Sequence, residues 1–195
     1  MTRKSLPFIL AAVLFCMPGS AVAGEAKAQL SATIDEFVTI LIKTPVAQLQ
    51  ATGLPDKALK LVLARFDFRE MTELSLGSNW NSLNGGEQKE FVDAFTQRIL
   101  RNYGRNVRST GNEKIVYGRE VQDGKQASVE TKVVSGNGDE MPIDYRLHDV
   151  DGQWRVYDVA IDSVSLVRNF REQFQRVIAR SSVQELLKQI KKEVS

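Results

Sequence analysis

Cysteine and histidine are nearly missing from this sequence: Cys16 and His148 are the only ones in 195 residues. One histidine cannot build a multi-histidine zinc site, and no carboxylate pair stands at a recognisable ligand spacing. A serine triad would have to rest on His148, which falls beside the polar turn at 149–151 and is expected to be solvated there. No glycine-rich phosphate loop is present, nor any internal repeat, low-complexity tract or linker. The expectation is therefore no catalytic residue, no metal and no cofactor. An excess of one charge is lacking as well, with 26 Lys and Arg against 24 Asp and Glu.

The one long apolar run, residues 6–17, is shorter than the about 20 residues that a membrane-spanning helix needs. It has the form of a secretory signal. Arg3 and Lys4 make a basic start, and Ala21-Val22-Ala23 is a small-residue cleavage site. Phe15, directly before Cys16, is too bulky for a lipid-modification signal, which argues against a lipoprotein. Residues 1–23 are thus expected to be a signal peptide and residues 24–195 a single domain. Cys16 leaves with the signal, so the remainder has no disulfide, and about 170 residues bury a sufficient core without one. Loss of Arg3 and Lys4 leaves 24 basic against 24 acidic residues. That balance argues against a general nucleic-acid binder. No later apolar run reaches spanning length, so a soluble monomer is expected.

The chain changes period along its length. Residues 25–42 carry Leu30, Ile34, Phe37, Val38 and Leu41 at helical spacing. Pro45 and Pro55 each permit a helix restart, and Asp67 with Glu70 forms a capping-box pattern for a short helix ending near Gly77. Phe91, Phe95, Ile99, Tyr103 and Val107 recur about every four residues from Glu87 onward. Beyond Gly111 the period falls to two. Residues 115–121, 127–134, 141–147 and 153–161 read as four strands, joined by turns short enough to demand antiparallel neighbours. Met141, Ile143, Tyr145 and Leu147 share one face of the third. Two final helices carry Val167, Phe170 and Phe174, then Leu186, Leu187 and Ile190 behind Ser182 and Glu185. One α+β domain follows.

Several separated motifs carry more. They are the run 66–72 (Phe-Asp-Phe-Arg-Glu-Met-Thr), Leu76-Gly77 before Trp80, the strand 154–159, and Val164-Ser165 leading into Phe170 and Phe174. In this order, across residues 55–190, the sequence resembles the MlaC, or toluene-tolerance auxiliary, family of periplasmic phospholipid carriers. The resemblance implies a curved antiparallel sheet of four or five strands, like nuclear transport factor and cystatin folds. Helices on one face would enclose an apolar cavity for acyl tails. It implies tail contacts from Ile143, Tyr145, Leu147, Trp154, Val156 and Val164 on the sheet side, and from Phe91, Phe95, Ile99 and Tyr103 on the helix side. Phe66, Met71, Val133, Met141, Phe170 and Phe174 complete that expected lining. It also implies a phospholipid ligand and two membrane partners, an inner-membrane ABC lipid transporter with an MCE-type ring and an outer-membrane lipoprotein–porin complex. Such a carrier would help maintain outer-membrane lipid asymmetry. One departure stands out: Ser163 occupies a turn position that is usually glycine in the family.

Arg98, Arg101, Arg105 and Arg108 make a basic helical stripe. Arg101 and Arg105, with Arg168 and Arg171 near the late helix start, are candidates for headgroup or partner contact. Three alternatives stay open. A small-molecule enzyme on the same fold would draw on Tyr145, Tyr157 or Asp158, although Asp158 more simply closes a turn or pairs with an arginine. A periplasmic adaptor would fill its core with side chains and hold no ligand. A hopanoid or sterol-like lipid could replace phospholipid.

Overall fold

In the computed structural model, residues 24–104 and 112–194 are described, the side chains of residues 50–52 excepted. The expected signal segment, Val107, Arg105 and Arg108 lie outside those residues. Helices α1 (Glu25–Lys43), α2 (Val46–Thr52), α3 (Asp56–Arg65), α4 (Phe68–Leu76) and α5 (Gly85–Ile99) fill the first half. A 3-10 turn, Gly77–Ser82, joins α4 to α5, and a π-turn, Leu100–Gly104, ends α5. Strands β1 (Lys114–Asp123), β2 (Gln126–Val134), β3 (Glu140–Val150), β4 (Gln153–Ile161) and β5 (Val164–Ser165) follow, then α6 (Leu166–Ile178) and α7 (Val183–Val194).

Local chemistry explains the helix ends. Pro45 and Pro55 stand at the caps of α2 and α3. Asp67 caps α4 by accepting from the Glu70 amide at 2.9 Å. The reciprocal half of the expected capping box does not form, because the Asp67 amide donates to the Val156 carbonyl of β4 at 2.8 Å. The full box lies instead at α5. There Asn84 Oδ1 accepts from the Gly86 and Glu87 amides, and Glu87 Oε2 accepts from the Asn84 amide. Gly77 ends α4 at φ 58°, and the Arg171 guanidinium lies 3.0 Å from where a β-carbon would stand.

The sheet is an antiparallel meander in the order β1-β2-β3-β4-β5. Two of its three two-residue corners use successive positive φ angles, 53° and 81° at Asp151-Gly152 and 49° and 65° at Asp162-Ser163. This is the turn geometry that matches strand twist. Register shifts between Tyr117 and Glu120 and between Arg146 and Leu147 mark bulges that curve the sheet. Ile143, Tyr145 and Leu147 point to the helix-covered face, as their alternation requires. The free edge of β4 is covered by the α3–α4 corner, where Phe66 bridges Val156 in parallel.

Two apolar cores result. The helical core packs α4–α7 around Phe91, Phe95, Phe170 and Phe174. Phe95 meets Phe170 edge-on at 4.8 Å and Phe174 at 5.2 Å. The sheet core joins Leu30 of α1 to Val129, Leu147, Trp154 and Val156. Phe66 and Tyr103 pack against both.

Candidate lipid site: an apolar cavity between the first helix and the sheet

Where α1 crosses the sheet, the inner side chains leave part of the space between them unfilled, and a cavity of about 220 Å³ remains. Its roof is the apolar stripe of α1: Leu30, Ile34 and Phe37, with Thr33 between them. Its floor is Ile143 and Tyr145 of β3 with Val159 and Ile161 of β4. Val62, Phe66 and Phe68, with Ile99, Leu100 and Tyr103, close it on the side of the helical core. At Gly104, which also lines the space, the Leu54 side chain lies 3.3 Å from a β-carbon's position. A side chain at 104 would push Leu54 aside.

Of the sixteen residues expected to contact tails, Phe66, Ile99, Tyr103, Ile143 and Tyr145 line this cavity. The others are placed elsewhere. Met71, Phe91, Phe95, Phe170 and Phe174 fill the helical core, where the stripe of α5 meets α6 and not the sheet. Leu147, Trp154 and Val156 lie on the inner face but under the first turns of α1, where side chains already fill the space. Met141 is 43 % exposed and Val164 55 % exposed, both at the open end of the sheet. Val133 pairs with Met141 in that end row and is half-buried. The sequence reading missed the α1 wall, although the stripe Leu30, Ile34 and Phe37 was visible as a helical period.

Arg65 is the charged member of the lining. Its Nε donates to Thr33 Oγ1 at 2.9 Å, and its Nη1 donates to Gln29 Oε1 at 3.0 Å and to the Trp154 carbonyl. Gln29 Oε1 also accepts from the Trp154 amide at 3.0 Å. The network ties α1 and α3 to β4. Burial, then the neighbouring Arg155, lower the Arg65 pKa from the usual arginine value. A third tie holds the α1 start: Glu120 accepts from the Gly24 amide at 3.0 Å and the Lys27 amide at 2.8 Å. The bulge in β1 places Glu120 there.

The candidate polar groups are occupied within the fold. Asp158 is buried, accepts from Ser165 Oγ at 2.7 Å and the Val167 amide at 3.1 Å, and has Arg146 Nη1 at 3.8 Å. It organises the start of α6 and does not line the cavity. His148 is not solvated as expected. The third strand runs on to Val150, so His148 lies within it, with Nε2 3.0 Å from Asp67 Oδ2 and its ring 5.4 Å from Tyr157. The nearby Glu70 carboxyl is raised by burial, an effect opposed by His148.

The cationic candidates divide likewise. Arg101 Nη1 donates to the Glu193 carbonyl of α7, and Arg98 Nε lies 3.3 Å from Glu193 Oε2. These two bind the end of α5 to α7 rather than facing outward as a free stripe. Arg171 lies over Gly77 between α4 and α6, while Arg168 is exposed two residues beyond Leu166, on another face of α6 from that cavity residue. Among the described residues no cluster of three or more His, Cys, Asp or Glu side chains could hold a metal ion, and no helix is long and apolar enough to cross a membrane.

Comparison with known proteins joins these features to a family. Residues 27–192 match the family described as MlaC protein. The Toluene tolerance protein ttg2D of Pseudomonas putida is 30 % identical over 96 residues, which are 49 % of this chain and 45 % of that protein. The match thus spans under half the length of that curated relative. A phospholipid-binding protein from Ralstonia solanacearum, solved in complex with a phospholipid, superposes with a TM-score of 0.75 at 25 % identity. That similarity covers 87 % of this chain and 96 % of the other.

Proposed function

We propose that this chain, which belongs to the MlaC family, encloses phospholipid acyl chains in the cavity beneath α1 and carries the lipid through the periplasm. The observation that carries this reading is the carbon-lined space between Leu30, Ile34 and Phe37 above and Ile143, Tyr145 and Ile161 below. Exposing two acyl chains to water costs on the order of 20 kcal/mol, at about 0.8 kcal/mol per methylene. An apolar space of this kind offsets the share of that cost carried by the methylenes it covers, with no bond made or broken. The phospholipid complex of the Ralstonia solanacearum protein supports tails as the occupant.

The finer role is part of the same proposal. The carrier receives lipid from one membrane complex and yields it to the other, an inner-membrane ABC transporter with an MCE-type ring and an outer-membrane lipoprotein–porin complex, and so supports outer-membrane asymmetry. Arg168, exposed on the first turn of α6, remains the candidate cation for a headgroup or a partner. Arg101 serves the fold instead, through α7. The cavity disfavours an adaptor with a filled core. The engagement of Asp158 with Ser165, Val167 and Arg146 disfavours its use as a catalytic base.

Native mass spectrometry of protein purified from its own periplasm, followed by organic extraction, tests the reading. The expected result is a stoichiometric phospholipid. A protein that emerges empty and resists loading from phospholipid vesicles would overturn it.

A further inference from the structure

Two of the four tyrosines line the cavity, Tyr145 from the floor and Tyr103 from the flank. Among the described residues neither hydroxyl has a hydrogen-bond partner, whereas Tyr117, on the same sheet face, donates to Asp35 Oδ1 at 2.7 Å. Tyr157 lies against His148, away from the cavity. The Tyr157 hydroxyl likewise has no partner among the described residues, so what sets Tyr145 and Tyr103 apart is their place in the cavity lining. Burial pushes the Tyr145 phenol up to about 12, and the Tyr117 phenol lies near enough to couple with it. Burial likewise raises Tyr103, opposed by Arg98.

When acyl tails fill this space they displace water, and each hydroxyl then needs an acceptor from the ligand. Methylene groups offer none. A headgroup phosphate would bring full charge among carbon atoms, where Arg65, the one cation among the described lining residues, gives its Nε and Nη1 to Thr33, Gln29 and the Trp154 carbonyl and keeps only Nη2 for a ligand. The neutral acceptor that travels with the tails is the ester carbonyl at their root, and a diacyl lipid has two.

Resting on the carrier reading, we propose that Tyr145, seconded by Tyr103, donates to the ester carbonyls of the bound lipid. The cavity then selects ester-linked over ether-linked phospholipid. Tails supply affinity through burial, and the phenols report whether the chain root is an acyl group. A hydrogen bond of this neutral kind gives a preference of roughly three- to tenfold.

The test loads delipidated protein from vesicles holding equal amounts of diacyl and dialkyl phosphatidylglycerol of one chain length. Bound lipid is counted by mass spectrometry. The wild type is expected to hold the ester lipid in roughly three- to tenfold excess. Tyr145→Phe keeps the ring and should bring the ratio close to one. Comparing the two proteins cancels any difference in how readily each lipid leaves the vesicle. Equal uptake by the wild type overturns the proposal and leaves the carrier reading intact. So does an ester preference that survives in both Tyr145→Phe and the Tyr145→Phe, Tyr103→Phe double variant. Uptake of neither lipid removes the carrier reading and this proposal with it.

Discussion

Ser163 holds a backbone conformation that serine adopts at a cost, with φ at 65° directly after Asp162 at 49°. The left-handed region crowds a β-carbon by roughly 1–2 kcal/mol, and glycine escapes that penalty. Ser163→Gly is therefore expected to raise stability by about 0.5–1 kcal/mol, part of the gain being returned through a freer unfolded chain. Urea denaturation measures it, and an unchanged or lower midpoint would argue that the serine is not strained. The tyrosines make a second prediction at this scale. Burial raises Tyr145 to about 12, and burial with the Asp35 hydrogen bond raises Tyr117 further. An unfolded phenol ionises near about 10. The native state therefore keeps its protons where the unfolded state loses them. Stability should be fully present below pH about 10 and fall as pH climbs through the folded values. Phenolate absorbance and denaturation across that range check this, and Tyr145→Phe should remove only its own share of the slope. Single residues were unevenly legible in the sequence. The departure at Ser163 is visible through the resemblance, which implies a glycine at that turn position. His148 was misread because its partner, Asp67, lies 81 residues away, and no local pattern reports such a pairing.

At the scale of elements, α1 is the wall that must stay down for the cavity to exist. Its first turn is fastened by the Glu120 carboxylate to the Gly24 and Lys27 amides, and its middle by Arg65 through Thr33 and Gln29. Glu120→Gln removes the negative charge from the positive end of a helix and weakens two bonds to orphan donors. A loss of about 1 kcal/mol is expected. Amide exchange should quicken along α1 while β2 and β3 stay protected; uniform acceleration across the sheet would contradict this. Periods of 3.6 and 2 made most elements and their inward faces readable. They could not distinguish a stripe that packs from one that borders empty space. The stripe of α5 lies against Phe170 and Phe174, and the similar stripe of α1 faces the cavity. Periodicity reports which side is inward and says nothing of whether the opposite side chains reach far enough to touch. The resemblance implies tail contacts at Phe91 and Phe95, whereas the cavity is lined instead by Ile34 and Phe37 of the α1 stripe.

The whole molecule divides its apolar surface between a filled core and an unfilled one, and substitutions should sort by that division. Phe95, fully buried with edge-on contacts to Phe170 and Phe174, belongs to the filled part. Phe95→Ala should cost about 3–5 kcal/mol while the molecules that remain folded keep their lipid. Ile143→Trp, on the cavity floor, should do the reverse and expel lipid with little change in melting. Melts and organic extraction on the same preparations read both, and lipid lost in proportion to stability in the two variants would dissolve the distinction. The meander has one more consequence, which concerns time. Each strand pairs with its neighbour in sequence, so the sheet closes only short loops and should form early. The cavity instead depends on contacts between α1 or α3 and strands about 90 residues away, such as Arg65 with Trp154 and Lys27 with Glu120. In pulsed exchange during refolding, amides of β2 and β3 should gain protection before those of α1. The floor of the lipid site is then laid first, and its roof is the last part of the chain to settle.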